Sequence, residues 1–203
     1  MDTLNFKAVF LGQSVIKYEV PLDIFHSINT IYETNFHNLH PANKQLAGKI
    51  EKEHSLFYDG RDESKMKRHS LIPTNVKQWF MDTYHHYLNW NKIKEYRTNL
   101  NSIWVNEMKQ HEYNPIHVHQ GSLFTGLSSV MILKLPTTYG IEYSAAESPS
   151  NGTLQIMGSS SGQFANVDYQ PVLKERDFFI FPYDMRHTVY PFNSTDEVRR
   201  TLA

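Results

Sequence analysis

Two histidines, His117 and His119, stand two apart in residues 113–119 (YNPIHVH), where an apolar, alternating segment begins. In an extended strand, residues i and i+2 point to the same face, so both imidazoles can converge on one metal ion. A third ligand is then needed, and His187 offers it near the end of a second strand-like apolar run, residues 178–192. Three imidazoles with open coordination positions suit a first-row transition metal in a catalytic site, whereas structural zinc is closed by four ligands. The chain has 11 histidines, most of which such a pattern leaves as surface or hydrogen-bonded residues. His37 and His40 lie in no regular element and have no third partner nearby. His85 and His86 are adjacent, so they cannot share a helical face. With no cysteine present, a metal can be held only by His, Asp, Glu and water, and no disulfide is possible.

The elements that must position these residues change character along the chain. Residues 6–20 read as two short strands around Gly12. After Pro21, Ile24, Ile28, Ile31 and Tyr32 recur at the helical period, which predicts an amphipathic helix to about Asn35. Residues 59–69 are polar and contain Gly60, as a loop does, and their basic and acidic side chains offset one another. A second helix is predicted after Pro73, with Thr74 as its N-cap and Val76, Phe80, Tyr84 and Tyr87 or Leu88 as its apolar stripe. From Leu100 onward the pattern is strands: residues 100–108, then 127–135 ended by Pro136, then 151–157, the His187 run and residues 198–202. Helices first and then many short strands predict an α+β fold, with an antiparallel sandwich or barrel closed by the second half.

The 203 residues fit one domain with a sizeable core. We expect a single domain over 1–203, with 1–98 a mainly helical support and 99–203 the strand core. Lys plus Arg (20) nearly cancel Asp plus Glu (21), which leaves no overall field to draw nucleic acid or an anionic membrane. The first twenty residues lack the basic and apolar regions of a signal peptide, and no apolar run approaches the length of a membrane span. A cytoplasmic setting fits these features, the host cytoplasm if the protein is viral.

Trp104-Val105-Asn106, the run Glu112-Tyr113-Asn114-Pro115-Ile116-His117-Val118-His119, residues 127–130 through Pro136, Phe181-Pro182 before His187, Val189 and Pro191 after it, and Arg199 followed by Thr201 occur in an informative order. In these residues, and in Leu46-Ala47-Gly48-Lys49-Ile50 upstream, the chain resembles the Fe(II)- and 2-oxoglutarate-dependent oxygenases, in the phage and bacterial branch related to prolyl hydroxylases. The resemblance implies a double-stranded β-helix (a jelly-roll, cupin-like barrel) with N-terminal helices packed on it. It also implies Fe(II), 2-oxoglutarate and O2 as cofactor and co-substrates. Iron would be held by His117, His119 and His187, and the far carboxylate of 2-oxoglutarate by Arg199 with Thr201. Such a guanidinium clamps a carboxylate bidentately.

Most members carry Asp or Glu where this chain has His119, so the implied site has three histidines, with Asp184 or Glu112 as alternative sources of an acid. Where many relatives have a co-substrate-binding Tyr, this chain has Ile132, and Tyr113 is the substitute expected here. The implied activity is a hydroxylase acting on a peptide or small molecule, with peptidyl-proline the reading by analogy; Trp104, Tyr113 and Phe124 would suit a flat or proline ring. Two other readings stand beside it. A cupin-type dioxygenase or isomerase would use three histidines and no 2-oxoglutarate, but its usual motif has Glu shortly after His-x-His, where Leu123 and Phe124 stand. A non-catalytic binding module on the same barrel would need a closed metal site or none.

Overall fold

The computed structural model describes residues 12–43, 46–57, 71–119, 125–141, 149–159, 162–163, 165 and 167–203. The strand expected over 6–10, the polar loop over 59–69, Phe124 and part of the serine-rich loop after Gly158 lie outside them. In chain order the elements are β1 (Ile16–Glu19), α1 (Leu22–Asn35), a 3-10 turn (Phe36–Asn38), β2 (His40–Pro41), β3 (Lys52–Ser55) and α2 (Thr74–Trp90). There follow β4 (Trp104–Met108), β5 (Asn114–His117), β6 (Leu127–Lys134), β7 (Leu154–Met157), β8 (Asp168–Tyr169), β9 (Asp177–Pro182), β10 (Arg186–Val189) and β11 (Arg199–Leu202). All pairings are antiparallel. They make a seven-stranded sheet in the order β1-β9-β6-β11-β4-β3-β2 and a four-stranded sheet in the order β5-β10-β7-β8. The α+β expectation holds, although the first half also contributes β1, β2 and β3 to the larger sheet.

Strand β9 shows how the layers are built. Its residues Phe178 and Ile180 pack with Ile24 and Ile28 of α1 and Val76 and Phe80 of α2, whereas Phe179 and Phe181 pack with Leu154 and Ile156 of the smaller sheet. A strand covered on both faces reads as a continuous apolar run because neither set of alternating side chains meets water. At its start, Asp177 is 4% exposed; it pairs with Lys17 at 2.7 Å and accepts the Lys174 backbone N–H at 2.9 Å.

Three expectations are corrected. Thr74 is the first helical residue and not the cap: Pro73, with φ −61 and ψ 155, occupies the N-cap position, and its carbonyl accepts the Lys77 N–H. The strand expected from Leu100 begins at Trp104. The run over 178–192 is two strands in different sheets, broken after Pro182 by a turn in which the Met185 N–H donates to the Pro182 carbonyl.

Residue alternation in β4, β11 and β3 sorts the polar groups. Arg200 and Glu107 face the helices: the Arg200 Nε and Nη2 donate to Glu107 Oε2 at 3.1 and 3.0 Å, Lys52 donates to Oε1 at 3.2 Å, and the guanidinium lies over Tyr32. The opposite face, toward the smaller sheet, carries Glu53, Asn106 and Thr201. They pair in register across three neighbouring strands, Glu53 with Asn106 and Asn106 with Thr201.

Candidate metal centre

His117 ends β5 and His187 lies directly across the ladder from it on β10, with ring centroids 4.2 Å apart. His119 lies beyond the strand, so its convergence does not come from strand alternation. Its backbone N–H donates to the Tyr183 carbonyl at 3.0 Å, which ties it to the turn between β9 and β10. One ligand atom from each of the three imidazoles lies within 4.8 Å of the others.

The ring nitrogens are already sorted by their partners. The His117 Nδ1–H donates to the Pro115 carbonyl at 2.7 Å, and the His187 Nδ1–H donates to the Met185 carbonyl at 2.9 Å. Each bond fixes the tautomer that leaves Nε2 with a free lone pair, as backbone partners of metal-bound histidines do. The Nε2 atoms of His119 and His187 approach to 3.2 Å. Two nitrogens about 2.1 Å from one ion at right angles are about 3.0 Å apart, so this spacing fits two adjacent positions on a divalent ion. A proton is a poor substitute for the ion. Burial holds His187 down to about 3, with His117 and His119 adding to the effect; burial and His117 hold His119 down to about 4. The donor set therefore fits a first-row divalent metal.

The acids considered from sequence are elsewhere. Glu112 accepts the backbone N–H groups of Glu51 and Lys109, and Asp184 accepts the Gln13 amide at an exposed position. Neither belongs to the imidazole cluster.

Arg199 is 2% exposed, and its Nε and Nη2 have no hydrogen-bond partner among the described residues. Burial works against its charge, and Tyr139 is the neighbour that favours it. The Tyr139 hydroxyl is buried beside the guanidinium and has no other partner among the described residues. A buried guanidinium with two unpaired nitrogens and no carboxylate beside it among the described residues fits an anionic group from outside the chain, since a poorly compensated charge in the interior is unfavourable. Thr201 is buried two residues on, along the same face of β11. Tyr113 is 41% exposed, with its backbone bridged to Lys49, and it is Tyr139 that adjoins Arg199. Room for the Tyr139 ring depends on Gly152, where φ is +66 and any side chain would collide with that ring.

A cavity of about 280 Å³ opens beside the imidazoles, lined by His117, His119, Trp104, Asn114 and Glu53. Glu53 was not legible as a site residue, because the polar run around it has no apolar alternation. It is 3% exposed, its Oε1 has no partner, and burial together with the charge of Glu112 raises its carboxyl to about 7. A carboxyl whose folded pKa lies above its ordinary 4.5 contributes stability at low pH, and that stability is lost as pH rises from about 4.5 through 7. Glu53→Gln should remove this loss in the metal-free protein. The stability of the variant minus that of the parent should grow by about 2 to 3 kcal/mol between pH 4.5 and pH 8 in urea unfolding. A difference that stays flat over that range would show that the carboxyl is not held protonated by its surroundings.

A sequence profile of the 2OG-Fe(II) oxygenase family matches residues 102–203, the half of the chain that carries all three imidazoles and Arg199. No curated protein matches the chain in sequence. The chain is similar to the crystal structure of a Pseudomonas putida prolyl-4-hydroxylase, with TM-score 0.57 and 13% identity over 94% of this chain and 89% of that one. It is similar to a Trichoplax adhaerens prolyl hydroxylase solved with a hypoxia-inducible factor oxygen degradation domain peptide, with TM-score 0.56 and 10% identity over 94% and 81%. A viral collagen prolyl hydroxylase from Paramecium bursaria Chlorella virus 1, solved with 2-oxoglutarate, gives TM-score 0.52 and 12% identity over 93% of each chain. At these identities the likeness establishes the fold, a double-stranded β-helix.

Proposed function

Because the chain belongs to the 2OG-Fe(II) oxygenase family, we propose that His117, His119 and His187 hold its iron and that Arg199, with Thr201 and Tyr139, receives the far carboxylate of 2-oxoglutarate. The protein is a 2-oxoglutarate-dependent oxygenase, with Fe(II), 2-oxoglutarate and O2 as its cofactor and co-substrates. The observation that carries the residue assignment is the convergence of three imidazoles whose ligand atoms lie within 4.8 Å of one another, with the His119 and His187 Nε2 atoms 3.2 Å apart.

When bound, iron and 2-oxoglutarate supply the oxidising power: O2 is consumed, 2-oxoglutarate becomes succinate and CO2, and a substrate C–H becomes C–OH. The chain's own residues bind and orient. Arg199 offers a fixed fork of N–H donors in a dry interior, where a bidentate carboxylate pair is strong. Tyr139 brings its hydroxyl to the same guanidinium, and Thr201 adds a second from two residues on along the same strand face. Three neutral imidazoles leave the metal site one charge unit more positive than a site with a carboxylate, which favours a dianionic co-substrate. In this reading the chain is one domain, in which α1 and α2 support the barrel and β1, β2 and β3 extend its larger sheet. The reaction we assign is hydroxylation, with a peptidyl-proline substrate suggested by the prolyl hydroxylases that share the fold. A three-histidine enzyme without 2-oxoglutarate is disfavoured by Arg199, which would have no anion to meet.

Anaerobic addition of 2-oxoglutarate to the Fe(II)-loaded protein should produce the weak visible charge-transfer band of a 2-oxo acid chelated to ferrous iron. Chelation needs two adjacent open positions, which three protein ligands on an octahedral ion leave and a closed four-ligand site does not. His119→Asp should keep both iron and the band. Tight iron binding with no band at saturating 2-oxoglutarate would remove the co-substrate from the assignment.

A further inference from the structure

The cavity beside the imidazoles contains a buried carboxyl whose Oε1 has no partner among the described residues. Glu53 projects from β3 onto that cavity and is buried, and its Oε1 accepts no hydrogen bond from the described residues. Among the described residues, the cations on β3 and β11 are committed elsewhere or lie on another strand. Lys52, its chain neighbour, alternates to the opposite face and binds Glu107, and Arg200 binds Glu107 and Glu33. Arg199 lies on β11, separated from β3 by β4, and strands about 4.8 Å apart place those backbones roughly 10 Å from one another. The imidazole cluster does not include Glu53 as a ligand.

The same wall has two further buried polar atoms without a partner among the described residues, the Asn114 amide Oδ1 and the Trp104 indole N–H, of which the indole can only donate. An ionised carboxylate is acceptor-only and an indole N–H is donor-only, so a ligand that satisfies both must bring a donor and an acceptor. The anionic co-substrate is unsuited to the Glu53 end, since like charges repel, and Arg199 already provides a place for it. We propose that Glu53 binds a protonated nitrogen, an ammonium or guanidinium group carried by the prime substrate, while Trp104 donates to a neighbouring oxygen of the same molecule. This deepens the reading above and rests on it in one respect: a ligand in this cavity lies beside His117 and His119, where the reaction takes place. Glu53 acts here as a specificity residue. A cationic group at its carboxylate fixes which C–H bond of the substrate is presented to the metal centre.

The test uses small cations as probes on the Zn(II)-loaded, 2-oxoglutarate-bound protein, in which a diamagnetic ion permits NMR. The chain has three tryptophans, so its indole N–H signals are few, and Trp104→Phe identifies the one from the cavity. n-Butylammonium and n-butylguanidinium should shift the Trp104 signal saturably, and Glu53→Gln should weaken that binding by at least about tenfold, as loss of a charged hydrogen-bond partner does. Neutral N-methylbutyramide should bind more weakly than either cation, and equally in parent and variant. Because Gln is isosteric and removes a buried charge, the variant should fold; Glu53→Asp, which keeps the charge, should recover part of the cation response. Equal cation binding in parent and Glu53→Gln, preference for the amide, or no response of Trp104 to either cation would each overturn the proposal. Failure of the metal assignment is a separate result. It would appear as absence of the ferrous charge-transfer band, while the cations would still bind the metal-free parent more tightly than Glu53→Gln.

Discussion

Fe(II) affinity should fall by more than about a hundredfold in His187→Ala, measured by competition with a chromophoric chelator. Loss of a partner that merely orients a ligand costs about ten- to a hundredfold in metal affinity, so loss of the ligand itself should exceed that range. His187 is the strongest position for the test because it is 5% exposed, has its Nδ1–H committed to the Met185 carbonyl, and packs against the Phe181 ring at 5.0 Å. Its imidazole has little freedom to serve another role. The parent should gain thermal stability on adding Fe(II), since a ligand that binds only the folded state stabilises it by mass action, and the variant should show little gain. Iron affinity within a few-fold of the parent would remove His187 from the ligand set.

The second large effect has opposite signs in two measurements. Arg199→Met should weaken 2-oxoglutarate binding by about 2 to 5 kcal/mol, upwards of about thirtyfold, because a desolvated carboxylate loses its charged partner. In the absence of 2-oxoglutarate the same substitution should raise stability, by on the order of 1 to 3 kcal/mol, since it removes a buried cation whose Nε and Nη2 are unpaired. Iron affinity should change little. Calorimetric titration with 2-oxoglutarate and urea unfolding of the ligand-free protein read the two signs separately. A variant less stable than the parent without co-substrate would mean that Arg199 serves the fold.

The imidazole positions were legible because histidine has few structural uses at such spacing in an apolar strand context. Strand alternation does not account for His119. The strand stops at His117, and a bond to the Tyr183 carbonyl, made by a residue far away in the chain, brings His119 into place. Arg199 was distinguished from Arg200 only by likeness to a family; the structure supplies the cause, since strand alternation sends Arg200 to Glu107 and Tyr32 and leaves Arg199 facing inward. Tyr139 and Glu53 could not be found by periodicity. Tyr139 lies in an irregular stretch, and its closeness to Arg199 depends on the backbone at Gly152. Glu53 sits on a strand whose inward face meets a polar cavity, so the alternation that usually marks a strand, apolar against polar, is absent there.

Strand β9 also bears on how the chain finds its frame. Because Phe178 and Ile180 serve one core and Phe179 and Phe181 the other, a slip by one residue would exchange Phe or Ile for Phe on either side and leave the burial of apolar surface nearly unchanged. Hydrophobicity alone therefore discriminates poorly between the two alignments. The discrimination comes from the strand's ends: Asp177, buried and paired with Lys17, would be dragged into an apolar layer by a slip, and the turn after Pro182 would lose its bond to Met185. One step of slippage moves the chain by about 3.3 Å, more than the distance between neighbouring ligand nitrogens, and His187 follows shortly after that turn. A single aspartate some ten residues upstream thus guards the alignment on which the third imidazole depends.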